Sequence, residues 1–78
     1  MEIEITTPDK TIFEGKGSLI QLPGIDGLFE VLNNHAPMIA ILQNGKVKIK
    51  DERNQLQYFD INGWVVEVSE NVFKVLAE

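Results

Sequence analysis

Apolar and polar residues alternate with a period of two along most of this chain, and turn-forming residues interrupt the alternation every few positions. Such a pattern commits a chain to β-strands, because successive strand side chains point to opposite faces. Ile3 and Ile5 alternate with Glu2, Glu4 and Thr6, and Thr7-Pro8-Asp9-Lys10 supplies turn chemistry. Thr11 to Glu14 reads as a short strand ending at Gly15 and Gly17, and Ser18 to Leu22 as another stopped by Pro23-Gly24. Gly24-Ile25-Asp26-Gly27 is a tight connection whose glycines permit positive φ. Leu28 to Leu32 follows, then the irregular Asn33-Asn34-His35-Ala36-Pro37.

Met38 to Leu42 is apolar throughout, and Asn44-Gly45 after it is a hairpin signal. Lys46-Val47-Lys48-Ile49-Lys50 alternates without a fault, and Asp51-Glu52-Arg53-Asn54 reverses the chain. Leu56 to Ile61 leads into Asn62-Gly63, a second hairpin signal. Trp64 to Val68 and Val72 to Leu76 complete the set, separated by Ser69-Glu70-Asn71. About nine short strands at this spacing predict an all-β flattened sandwich or barrel. No segment carries a helical stripe, and no linker or repeat divides residues 1–78, so one domain is expected.

Twelve acidic against seven basic residues leave a net charge of −5, which disfavours phosphate backbones and hence nonspecific nucleic-acid binding. No apolar run approaches the ~18 residues of a membrane span. The first residues are acidic where a signal peptide would be basic, so no targeting segment is expected. With no cysteine and one histidine, neither a disulfide nor a zinc site is expected.

Catalysis finds little support. Neither Ser18 nor Ser69 sits in a G-x-S-x-G elbow. An enzyme built on His35 would need a pocket with a nucleophile within hydrogen-bond reach; the simpler role is a loop anchor. Gly24-x-x-Gly27 lacks the lysine and helix of a phosphate loop. Lys46, Lys48 and Lys50 share one strand face, either a grip for an acidic partner or a solvated guard against edge pairing. Trp64 is a core or rim aromatic, and an interface anchor if exposed. The stretch from Pro23 to Gly45 is the most informative. A strand apolar on both faces must be covered twice, and in a domain this small the second cover can be a partner protein.

Several segments, in order, resemble the N-terminal domain of the epsilon subunit of rotary F-type ATP synthases, the mitochondrial delta subunit. These are Ile5 to Gly15; Leu22 to Pro37, with its glycine pair and His-Ala-Pro; Gly45 to Ile49; and Asn62 to Val68, closing on Val75-Leu76-Ala77. Glu30 stands where that family usually has glycine, Asn33 where it usually has proline, and Asn62 where glycine is common.

The resemblance implies a β-sandwich of about ten short strands and a non-catalytic rotor subunit without cofactor or metal. It implies that the chain joins the gamma subunit to the membrane c-ring on the cytoplasmic face of the cell membrane, as a peripheral member of the complex. Gly24, Ile25, Asp26, Gly27, Leu28 and Glu30 correspond to the ring-contacting loop, with Asp26 and Glu30 supplying polar contacts. His35, Ala36, Pro37, Met38 and Ile39 lie near the same joint towards gamma, with Met38 and Ile39 supplying apolar burial; the alternative places both in the core. Replacing Met38 by aspartate is accordingly expected to weaken assembly and spare the fold. The family's C-terminal helical hairpin, which can inhibit ATP hydrolysis, has no counterpart up to Glu78. No latching of the rotor and no direct ATP binding are therefore expected of these residues. The competing function is that of a β-barrel protein-interaction module from another family.

Overall fold

The computed structural model describes residues 1–78 and contains no helix. Eight strands form: β1 (Glu2–Thr6), β2 (Thr11–Gly24), β3 (Gly27–Leu32), β4 (Met38–Leu42), β5 (Gly45–Asp51), β6 (Leu56–Ile61), β7 (Trp64–Ser69) and β8 (Val72–Leu76). The count is below the expected nine or ten because Thr11–Glu14 and Ser18–Leu22 are two halves of one strand. Gly15 and Gly17 do not end it, since both halves are paired. The first half lies antiparallel to β1, and the second is flanked by β5 and β3. A register shift between Gly17 and Leu19 marks where β2 leaves one layer for the other.

β1, β8, β7 and β4 make the first layer, with β1 and β8 parallel. β3, the second half of β2, β5 and β6 make the second layer. Between them lies one core, in which Ile3, Ile5, Val66, Val68, Phe73 and Val75 of the first layer meet Ile20, Leu22, Val31, Val47 and Ile49 of the second. The alternation read from the sequence sets these phases. Val47 and Ile49 are buried, while Lys46, Lys48 and Lys50 share the outer face with Leu56, Tyr58 and Asp60 of β6. Lys46 pairs with Asp60 at 2.9 Å. On the first layer Glu2 lies opposite Lys16 of β2, and Glu4 lies between Glu14 of β2 and Lys74 of β8.

Neither Asn-Gly dipeptide makes a hairpin. β4 pairs with β7 and β2, and β5 with β2 and β6, so Asn44-Gly45 carries the chain from one layer to the other. Asn62-Gly63 crosses back, with Gly63 at φ 56. The end of β4 is held by β2 instead, through Gln43 N–H donating to the Pro23 carbonyl at 2.8 Å. The hairpin between β7 and β8 turns on Glu70 and Asn71, at φ 52 and 61, both left-handed as a tight two-residue turn requires.

Asp51 organises the turn from β5 to β6. Its Oδ1 accepts from the Arg53 and Gln55 amides and its Oδ2 from Gln57 Nε2, each at 2.9 Å. The Gln55 amide first, then Gln57, hold this carboxyl below its ordinary 3.8, against some desolvation and with smaller help from Arg53. A carboxyl depressed in the folded state stabilises fully above its unfolded pKa and loses that contribution as pH falls through the folded one. Urea midpoints should therefore lose an Asp51-dependent contribution only below about pH 4. In Asp51→Asn that part of the acid dependence should vanish and the neutral-pH midpoint should fall. An unchanged acid limb would exclude Asp51 as its source.

Candidate partner-binding face

The turn between β2 and β3 and the strand β4 are fastened together at one end of the molecule. Gly24 pairs with Leu42, Ile25 N–H donates to the Ile41 carbonyl at 3.2 Å, and Gln43 Nε2 donates to the Gly24 carbonyl at 2.9 Å. The two glycines of the turn serve different ends. Gly27 takes φ 126, which a side chain would strain, whereas a Cβ on Gly24 would meet the Gly27 carbonyl oxygen and the Phe29 ring, each at 2.9 Å. Ile25 and Asp26 are thereby held outward at the tip.

β4 then shows which of its apolar faces is covered. Met38 and Ala40 are half-buried against the core and Leu42 is buried, while Ile39 and Ile41 are 72% and 60% exposed. The expectation that Met38 and Ile39 act together thus divides: Ile39 faces out and Met38 packs inward. Aspartate at Met38 would strike the core as well as any partner, so Ile39 is the cleaner position to probe. Ile39 and Ile41, with exposed Ile25 and Leu28, line an open apolar groove with Asp26 at its tip.

The apolar surface extends beyond the groove. Ile41 lies opposite Val65, and Val65 opposite Leu76, giving an outward apolar row across β4, β7 and β8. The next row is apolar only at Ile39 and turns polar at Glu67 and Lys74. Trp64, paired with Leu42, is a rim aromatic that is 55% exposed. Ile41, Val65 and Leu76 were not singled out from the sequence. Leu76 had a signal, since it stands in the outward phase of β8 with Lys74.

The predicted residues do not all gather here. Glu30 lies outside the groove on β3, where it accepts a hydrogen bond from Gln21 Nε2 at 3.3 Å, and the strand pairing absorbs its side chain without a break. His35, Ala36 and Pro37 lie at the opposite end of β4, beside the turn from β7 to β8. There Asn34 N–H donates to Asn71 Oδ1 at 2.8 Å, and the Met1 ammonium donates to Asn33 Oδ1 at 2.6 Å. His35 is exposed, and its Nδ1–H donates to the Ala36 carbonyl at 2.6 Å, which leaves Nε2 as the free ring nitrogen.

The family model for "ATP synthase, Delta/Epsilon chain, beta-sandwich domain" matches residues 1–78. The chain belongs to this ATP synthase delta/epsilon family. Membership removes the alternative of a β-barrel module from another family. The ATP synthase epsilon chain of Chlorobium limicola is 38% identical over 77 residues, covering 99% of this chain and 88% of that one. The epsilon chain of Protochlamydia amoebophila (strain UWE25) is 40% identical over 76 residues, covering 97% of this chain and 52% of that one. The same fold is also found among solved structures. A chain of the Euglena gracilis mitochondrial ATP synthase superposes with a TM-score of 0.89 at 19% identity, covering 96% of this chain and 48% of its own length. One from the central stalk and c-ring of the Tetrahymena thermophila mitochondrial enzyme gives 0.79 at 24% identity, covering 99% and 62%. These two likenesses establish the fold.

Proposed function

We propose that this domain is a non-catalytic rotor component of an F-type ATP synthase, joining the gamma subunit to the membrane c-ring so that ion-driven ring rotation reaches the catalytic head. It works on the cytoplasmic face of the cell membrane as a peripheral member of the complex, and takes no ATP, metal or cofactor of its own. The observation that carries this reading is β4, whose outward face of Ile39 and Ile41 is uncovered and runs into the Gly24–Leu28 tip. Apolar surface of this kind in a domain of this size is the mark of a protein interface.

In this reading gamma covers the outer face of β4 and the His35-Ala36-Pro37 loop, with Met38 supporting Ile39 from beneath. The c-ring meets Gly24, Ile25, Asp26, Gly27 and Leu28, and Glu30 contributes at the margin. The two surfaces share the fastened end of β2 and β4, and a joint that carries torque requires such rigid continuity between its two contacts. Co-expression with the gamma subunit of the same organism should give a one-to-one complex on size exclusion. Separate elution of the chain and a well-folded gamma would overturn the proposal.

A further inference from the structure

The loop that carries His35 is held to the rest of the molecule through side chains: the Met1 ammonium donates to Asn33 Oδ1 at its start, and a second tie follows at Asn34. None of the main-chain hydrogen bonds outside the strands involves residues 33–37. Asn34 is itself left-handed, at φ 62. Its N–H is held by a side chain 37 positions further along, Asn71 Oδ1, at 2.8 Å. Asn71 is well placed to act as an anchor. Its left-handed φ of 61 is fixed by the hairpin from β7 to β8, and its main-chain carbonyl accepts the Glu2 amide at 3.1 Å. Met1 holds Asn33 at the start of the loop, and the Asn71 side-chain amide is the tie nearest His35, joining Asn34 to the hairpin between β7 and β8.

We propose that Asn71 is a positioning residue for partner binding: it touches no partner, but fixes the loop that presents His35 and the entry to β4. This rests on the proposed function, in which gamma covers that loop. A free loop must be ordered when the partner binds, and the entropy lost then weakens the complex. An anchored loop has already lost it.

Two substitutions separate the anchor from the turn. Asn71→Gly keeps the left-handed backbone and deletes the acceptor, whereas Asn71→Asp keeps an acceptor oxygen on a residue that tolerates this φ. The measurements are amide exchange at Asn34 by NMR, with Phe73 and Val75 amides as the core reference, and affinity for gamma. Asn71→Gly is expected to raise Asn34 exchange about tenfold without changing the core amides, and to weaken gamma binding about five- to tenfold, as loss of one hydrogen bond would. Asn71→Asp is expected to restore both.

Unchanged Asn34 exchange in Asn71→Gly would overturn the proposal and leave the rotor reading standing. So would a freed loop with undiminished affinity. Failure of the unsubstituted chain to bind gamma would overturn both, and the exchange data would then describe a structural tie alone.

Discussion

Phe73→Ala is expected to leave the chain largely unfolded under conditions in which the unsubstituted domain is native. Phe73 is the largest of the fully buried side chains, at 1% exposure. It sits on β8 at the centre of the first layer, opposite Ile3 of β1 and Val68 of β7. Truncating a buried phenylalanine to alanine costs about 3–5 kcal/mol in lost transfer energy and residual cavity. A domain under about 80 residues rarely draws more than about 3–5 kcal/mol of net stability from its core, and this chain has no disulfide to add to it. The deficit thus matches the whole margin. Far-ultraviolet circular dichroism against urea would show it as loss of the native baseline. Phe73→Leu, which keeps most of the volume, should still unfold cooperatively at a lower midpoint. A cooperative Phe73→Ala transition displaced by less than about 2 kcal/mol would mean that the two layers close over the cavity.

The inward phase of each strand was legible because burial and alternation are the same fact seen from two sides: Ile3 and Ile5, Val47 and Ile49, and Val66 and Val68 face in as their spacing requires. Strand adjacency was not. Asn44-Gly45 and Asn62-Gly63 announce that the chain turns, but which strand lies beside β4 is decided by the pairing of β4 with β7 and by the Pro23 carbonyl that captures Gln43. The hairpin that does need two left-handed residues is built on Glu70 and Asn71, and glutamate gives no warning of it. The candidate face was half legible. Met38 to Leu42 reads as a strand apolar on both sides, yet the run contains nothing to say which side is open. The core chooses, by taking Met38, Ala40 and Leu42 and leaving Ile39 and Ile41 outside. The tie from Asn34 to Asn71 spans 37 positions and lies beyond any local pattern.

The face left outside can be tested without disturbing the fold by changing Ile39 to lysine and Ile41 to aspartate together. Ile39 lies across from Glu67, so lysine there gains an oppositely charged neighbour, where aspartate would meet a like charge. Ile41 lies across from Val65, and its side chain already stands largely in solvent. The cost to the isolated domain should stay within about 1 kcal/mol per position, the span of strand propensities. The pair leaves the net charge at −5, so altered long-range attraction cannot account for a binding defect. At the centre of an interface the same two groups would have to be stripped of water against apolar surface. Losses of about 2 kcal/mol or more mark the few hot spots that cluster at the centre of an interface, and two such positions together predict a gamma complex weakened at least about a hundredfold. Leu56→Asp, which takes the net charge only to about −6, is the control on the other layer. It places a charge on the outer face of that layer, opposite Lys50 and beside the lysine row, and should leave the complex intact. Titration calorimetry with gamma separates the cases. Loss of binding confined to the β4 pair assigns the interface to this face, whereas equal affinity for both variants would move gamma off β4 altogether.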